Sequence, residues 1–411
     1  MSNAESVWQF LTDPAARGPA ASELFARLPT EDPVIRFGPV WLFSSFDLVT
    51  TLASDDRLEI RLPGLSSGMW EAAPALGELF QRFMSVQPAA DHRRLRRLVA
   101  GAFSMRAIGR LRGRIDEIVD GLLSPALSRG ECDFVAEVGV PLPVMATAAL
   151  LDLPQADWPR ILAWATTLTD QLSQATWNLQ GLGQAPQADN SVVADVLDYV
   201  EKIVRQRRAR PGDDLISQLA SDGRLGHDEL IAMVVLLFMT GLDTMTSGLT
   251  NAVYALLRNP EAWDRVVADP GLAGAAFAEG IRYMPPVTMG TRRATADIEI
   301  GGHRVAAGDT VLLMFAAANL DPSRFSRPSA FDLDRGETTQ LAFGHGPYFC
   351  LGAALSLLEG ESVLRWLATR APGLEPAVRE PVYRDSIAFV SPAELPLRLA
   401  VREPLFEPAG G

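Results

Sequence analysis

Cysteine is nearly missing from this 411-residue chain, which holds only Cys132 and Cys350. Two thiols make no disulfide framework and cannot ligate an iron–sulfur cluster, which takes four. They could form one disulfide by arithmetic, but an intracellular setting favours free thiols. Basic charge is short as well: 37 Lys and Arg stand against 50 Asp and Glu, and the net charge of −13 argues against general nucleic-acid binding. The longest nearly uninterrupted apolar run, residues 231–242, is too short to span a bilayer and reads as a buried helix. Residues 1–6, Met-Ser-Asn-Ala-Glu-Ser, have neither a basic n-region nor an apolar h-region, so a soluble, cytoplasmic protein without a secretory signal is expected. No low-complexity linker and no repeat divides the chain. With 48% hydrophobic and 21% charged residues it reads as one large domain over residues 1–411.

What is present is mostly helical pattern. Amphipathic stretches run over residues 107–123, 192–208 and 262–282, and a long helix is predicted over 228–258, stopped by Asn259-Pro260. Strands are predicted at 34–37 and 40–43 about Gly38-Pro39, although Pro39 weakens a sheet-centre position. A hairpin is predicted at 297–300 with Gly301-Gly302 as its turn, continuing over 305–314 past a second turn at 307–309. The predicted class is mainly α with small β-sheets.

The most informative segment is Phe343-Gly344-His345-Gly346-Pro347-Tyr348-Phe349-Cys350-Leu351-Gly352. It sets one cysteine in a glycine-rich loop that opens into a helix, marked by Leu351, Leu355, Leu358, Val363, Trp366 and Leu367. Only the thiolate ligates metals, and free N–H groups at a helix start stabilise negative sulfur, so the Cys350 pKa is expected to fall. Gly344 and Gly346 allow positive φ beneath a flat ligand, Gly352 allows the helix to approach it, and Phe343 can shield the sulfur. A free cysteine is more often a small buried hydrophobe. A second odd segment lies mid-helix, where Thr240-Gly241-Leu242-Asp243-Thr244 interrupts apolar sequence. A Thr hydroxyl bonding back to a carbonyl can loosen the helix there, admit water and make a proton path.

The unit F-x-x-G-x-x-x-C-x-G resembles the haem-binding segment of the cytochrome P450 family, in which the cysteine is the axial iron ligand. The mid-helix segment resembles that family's [A/G]-G-x-[D/E]-T motif through Gly241, Asp243 and Thr244, with Thr240 in place of the usual small apolar residue. Glu279 and Arg282 match E-x-x-R, and Arg335 fits the arginine that pairs with it; the resemblance assigns these three to fold maintenance. His92 and Arg96 match H-x-x-x-R, and Arg292 opens R-x-A-x-x-D, which makes all three expected propionate donors. The chain departs from the pattern at Tyr348, where a propionate-binding histidine is common, at Leu357 in place of an arginine, and at Leu320 in Asn319-Leu320-Asp321-Pro322. Tyr348 could still donate through its hydroxyl. The resemblance runs from about His92 to Arg335 and on through the cysteine helix.

What the resemblance implies is a P450 fold with haem b between the long helix and the cysteine helix, Cys350 on the iron, and Asp243 and Thr244 delivering protons. The expected reaction is O2 activation to hydroxylate a C–H bond of a small, mainly apolar metabolite, in natural-product biosynthesis or catabolism. Met239, Thr240, Thr288 and Phe389 are the expected substrate-lining residues, and Trp70 could stack on an aromatic substrate. Electrons from NAD(P)H are expected to arrive through a ferredoxin and ferredoxin reductase, steered by Arg93 and Arg94 on the run 92–97. The protein is expected to be a monomer. Two alternatives stay open at this level: oxidative radical coupling without oxygen insertion, and a non-catalytic haem-binding sensor. A peroxide-driven variant is disfavoured because such enzymes usually replace the acid and threonine.

Overall fold

A 31-residue helical stretch, His227 to Leu257, is the axis on which the other elements are placed. In this computed structural model, which describes residues 1–60, 74–178 and 190–400, it forms two segments, His227–Thr240 and Leu242–Leu257, meeting at Gly241. The Gly226 N–H donates to Glu229 Oε2 at 2.9 Å, and Asp228 and Glu229 sit in the first turn, where negative charge suits the helix dipole. Midway, the Thr240 and Thr244 hydroxyls each donate at 2.9 Å to the carbonyls of Leu236 and Thr240. These side chains compete with the backbone ladder where a glycine already weakens it, and the helix breaks there. The full helix is long and apolar enough to cross a bilayer, unlike the short run seen in sequence, but 78% of its apolar window is buried inside the protein. It is the core.

Ten strands form three small sheets among the described residues: β1 (Val34–Phe37), β2 (Val40–Phe43), β3 (Leu58–Glu59), β4 (Glu131–Asp133), β5 (Gly290–Ala294), β6 (Ile298–Ile300), β7 (His303–Val305), β8 (Thr310–Leu313), β9 (Glu375–Pro376) and β10 (Pro396–Arg398). The largest has the order β1-β2-β8-β5-β3, with β2 and β8 parallel. Its role is placement: Arg292 on β5 stands opposite Val311 on β8 and is buried.

Besides the long helix, two predicted helices are broken in the structure. The stretch 107–123 is two helices, Met105–Gly109 and Arg112–Arg129. The stretch 262–282 is also two, Pro260–Ala268 and Ala273–Tyr283, because Asp269 caps a turn opened by Pro270 and accepts the Gly271 N–H at 2.9 Å. The second turn expected at 307–309 is present between β7 and β8: Gly308 has φ 92°, and Asp309 Oδ2 accepts from Ala306 N and from Trp41 Nε1. Trp70 lies outside the described residues.

The cysteine helix, Ala353–Arg370, packs on the helix Ala273–Tyr283 so closely that a Cβ on Gly360 would stand 2.2 Å from the Phe277 ring. At the far end of that contact Glu279 is forked to Arg282 (2.7 and 2.8 Å) and receives Arg335 Nε at 3.2 Å. Arg282 also donates to the carbonyls of Asn319, Pro328 and Ala330, so one buried ion cluster ties the helix to the segment ahead of the cysteine loop. Removing one partner would leave a buried charge uncompensated. Glu279→Ala is therefore expected to cost about 3–5 kcal/mol, and Gly360→Ala about 1–3 kcal/mol through overpacking against Phe277. Urea unfolding of the purified variants measures both, and wild-type midpoints would contradict this packing.

Candidate functional site

The break at Gly241 faces a cavity of about 390 Å³. Leu236, Leu237, Thr240, Gly241, Thr244 and Met245 form its stripe on the broken helix, at the i, i+1, i+4, i+5 spacing of one helical face. The basic helix Ala89–Val99 contributes His92 and Arg96, β5 contributes Arg292, and the loop contributes Phe343, Gly344, Tyr348, Cys350 and Gly352. Lining by Phe103, Pro286, Val287 and Phe315 makes the space mainly apolar. A separate open cleft of about 290 Å³ gathers Glu78, Asp198, Glu201, His227 and Asp228 but contains none of the motif residues.

The loop is held by its own backbone. Gly344 and Gly346 have φ of 71° and 70°, and the Cys350 N–H donates to Phe343 O at 2.8 Å. A Cβ on Gly346 would also meet Ala53 O at 2.8 Å, so no larger residue fits. The sulfur opens on the cavity. Its pKa moves opposite to expectation: burial pushes the Cys350 thiol up, outweighing the backbone N–H groups of Gly352 and Ala353 and the Arg96 guanidinium, which act to lower it. Desolvation of a whole unit charge exceeds the partial charges of a helix start.

Arg292 is buried, and burial pushes its pKa down to about 10. Its Nη1 donates to Thr291 O at 3.0 Å, while its Nε has no hydrogen-bond partner. Tyr348 is in contact with both, the Arg292 guanidinium lying 5.0 Å from its ring centroid and the His92 ring 4.4 Å away and tilted by 43°. Both His92 nitrogens face backbone carbonyls, Met84 O at 3.0 Å and Pro347 O at 3.2 Å, so the histidine ties the basic helix to the cysteine loop. Arg96 makes no ion pair among the described residues; burial pushes its pKa down, and the neighbouring Cys350 opposes that shift.

Other expected site residues stand elsewhere. Asp243 is off the cavity wall, paired at 2.8 Å with Arg384 from a C-terminal loop, and beside Asp170, whose pKa is raised by burial and then by Asp243. Met239 lies one residue before Thr240 and so about 100° away around the helix, facing Trp164 and Tyr199 instead. Thr288 is buried with its hydroxyl bonded to Ile387 O at 2.5 Å, and Phe389 is not among the lining residues. Arg93 and Arg94 are spoken for on the surface, by Asp56 at 3.0 Å and by Glu229. Four groups that sequence reasoning missed are Thr147 and Glu359 on the cavity wall, and Arg384 and Asp170 around Asp243. A carboxylate in the inner leucine register of the cysteine helix was a usable signal for Glu359; the pairing of Arg384 spans 141 residues and had none.

Among the described residues no group of three or more His, Cys, Asp or Glu could hold a metal ion. A metal on Cys350 must therefore bring most of its own coordination sphere, with anionic edges that Arg292 Nε and Arg96 could meet. A flat macrocycle with acidic arms fits that donor set.

The family model described as Cytochrome P450 matches residues 169–269 and 272–369. The chain is 34% identical to the 20-oxo-5-O-mycaminosyltylactone 23-monooxygenase of Streptomyces fradiae over 86% of this chain and 83% of that one. It is 33% identical to the vitamin D(3) 25-hydroxylase of Pseudonocardia autotrophica, over 92% and 93%. Among solved structures, P450BioI in complex with hexadec-9Z-enoic acid ligated acyl carrier protein superposes with a TM-score of 0.83 at 28% identity, covering 92% of this chain and 98% of that one.

The unpaired Nε of Arg292 gives a direct test of what the cavity is built for. Replacing it by Met is expected to stabilise the ligand-free chain by about 1–3 kcal/mol, since an unsatisfied buried donor disappears, and to weaken pigment retention. Thermal melts of the ligand-free protein and absorbance after gel filtration measure the two effects. A destabilised ligand-free variant would contradict the assignment.

Proposed function

Since the chain belongs to the cytochrome P450 family, as a haem-containing monooxygenase fed with electrons from NAD(P)H through redox partners, we propose that it hydroxylates a C–H bond of a small, mainly apolar metabolite in natural-product metabolism. The observation that carries this reading is a single sulfur opening on a mainly apolar cavity that also contains Thr244. Haem bound through Cys350 supplies the reductive activation of dioxygen.

The remaining roles fall to side chains. Cys350 is assigned as the residue that would hold the haem iron through its sulfur, with Phe343, Gly344 and Gly352 shaping its loop. Arg292, Arg96 and Tyr348 are assigned to the propionates, and His92 positions Tyr348 by tilted ring contact and holds the loop through Pro347 O. The Thr244 hydroxyl, now donating to Thr240 O, can turn to a cavity water; Asp243 can carry a proton to it only by letting go of Arg384. Substrate contact is assigned to Thr240 together with Leu236, Leu237 and Val287, in place of Met239, Thr288 and Phe389. The hydroxyls of Thr147 and Thr240 are the polar features a substrate would meet.

The electron donor is proposed to be a ferredoxin with its reductase, and the working unit a cytoplasmic monomer. Because Arg93 and Arg94 are already paired with carboxylates, they offer less steering charge than the sequence suggests. The enzyme relatives set aside the sensor reading, and radical coupling remains as an outcome of the test.

Turnover with a surrogate ferredoxin and an apolar macrolide or steroid panel, read by mass spectrometry, tests the proposal. A product heavier by one oxygen is expected; a product lighter by two hydrogens would replace hydroxylation with coupling. Asp243→Asn and Thr244→Ala are each expected to lower product formation about 10²-fold, the usual size of a lost proton-transfer group. Product formation unchanged in both variants would remove their assignment.

A further inference from the structure

The broken helix carries two hydroxyls on the cavity wall, and both are committed as donors to the helix itself. Thr240 Oγ1 donates to Leu236 O at 2.9 Å; Thr244 Oγ1 donates to Thr240 O at 2.9 Å and more weakly to Gly241 O at 3.3 Å. A hydroxyl has one proton and two lone pairs, so a threonine bonded back in this way has only acceptor capacity left for the cavity. Thr244 and the adjacent Asp243 already have the proton-delivery role proposed above. Thr240 has no role beyond contact with substrate.

Its setting singles it out. Thr240 is exposed although the ten residues ahead of it, Leu230 to Met239, are all buried, and the surface it opens on is the cavity. The neighbouring wall, Leu236, Leu237, Pro286 and Val287, has no polar side-chain atom to compete with it. The motif that this helix resembles has a small apolar residue at the position, so the break at Gly241 does not by itself call for a hydroxyl there. Ser85 and Thr147 also line the cavity, but their hydroxyls are not committed to a carbonyl among the described residues, so they can donate or accept and discriminate little between the two.

We propose that Thr240 is a specificity-determining residue, an acceptor-only hydroxyl that favours substrates presenting a free hydroxyl to the helix break over the corresponding ketones. The inference rests on the monooxygenase reading and narrows its substrate class from apolar metabolites to apolar alcohols. An alcohol completes the bonding of Thr240 and leaves the helix undisturbed. A ketone in the same place meets lone pairs, and Thr240 can donate to it only by giving up Leu236 O. The difference is about one net hydrogen bond, or about 3–10-fold in affinity. It stays modest because no buried donor is stranded when the alcohol is missing. Thr240 and Thr244 are one helical turn apart, about 5 Å, so the substrate hydroxyl is held close to the proton-delivery pair. Such a substrate has to come from a reaction that leaves a free alcohol, such as ketone reduction or an earlier hydroxylation.

Binding of a rigid matched pair, 2-adamantanol and 2-adamantanone, to the haem-loaded protein tests this without reference to turnover, read as the spin-state change in the absorbance spectrum. The ratio of the two dissociation constants is compared between the wild type, Thr240→Val, which keeps the shape and removes the acceptor, and Thr240→Ser, which keeps the acceptor. The wild-type preference for the alcohol is expected to exceed that of Thr240→Val by about 3–10-fold, and Thr240→Ser is expected to retain it. A merely structural hydroxyl would leave the ratio unmoved. Equal ratios in the wild type and Thr240→Val, a ratio lost equally in Thr240→Ser, or a wild type that responds to neither probe overturns the proposal. Should Thr240→Val not take up haem, Thr240→Ala is compared with Thr240→Ser on the same terms. A wild type that shows the preference but makes no product from any substrate fails the monooxygenase reading and leaves the assignment of Thr240 standing.

Discussion

The buried sulfur of Cys350 sits where its own surroundings oppose its charge, and the rest of the site can be understood from that opposition. Two backbone N–H groups and Arg96 favour the thiolate, yet burial prevails and the free thiol is held protonated. A metal cation reverses the balance, since a coordinating thiol gives up its proton outright. The same dryness leaves Arg292 Nε without a partner and lowers its pKa. Positive and negative groups are thus placed at a cost that only an anionic, metal-bearing ligand can offset, so ligand binding and folding stability are coupled.

Rigid supports keep these groups in place. The Glu279–Arg282–Arg335 cluster and the Gly360–Phe277 contact fix the cysteine helix from behind, while His92 fixes the loop from the side through Pro347 O. The opposite wall is soft by construction. At Gly241 two threonine hydroxyls take carbonyls from the helix ladder, which puts exchangeable hydrogen bonds beside the cavity, and Asp243 is latched to a loop that would have to release it for the proton delivery proposed above. Stability is concentrated around the cysteine helix, and weakness where the proposed function has protons move.

Much of this was legible in residue order because the determinants are local. The strands at 34–37 and 40–43, the Gly301-Gly302 hairpin, the start and stop of the cysteine helix and the positive φ of Gly344 and Gly346 all follow from turn chemistry and periodicity within a few residues. The failures have two physical origins. A one-residue step on a helix rotates a side chain by about 100°, which is why Thr240 lines the cavity and Met239 does not. Long-range pairing is the other: Asp243 with Arg384, and Arg94 with Glu229, depend on how distant segments pack. The sign of the Cys350 shift failed for a related reason, because the helix start is visible in sequence while the depth of burial is not.

The claim on which the account turns is a protein sulfur on the haem iron. Resonance Raman and EPR spectra of the purified ferric and ferrous carbon monoxide forms report that bond directly. Thiolate ligation that disappears in Cys350→Ser is the expected result. Imidazole ligation in the wild-type protein, or thiolate ligation that persists without Cys350, would contradict it.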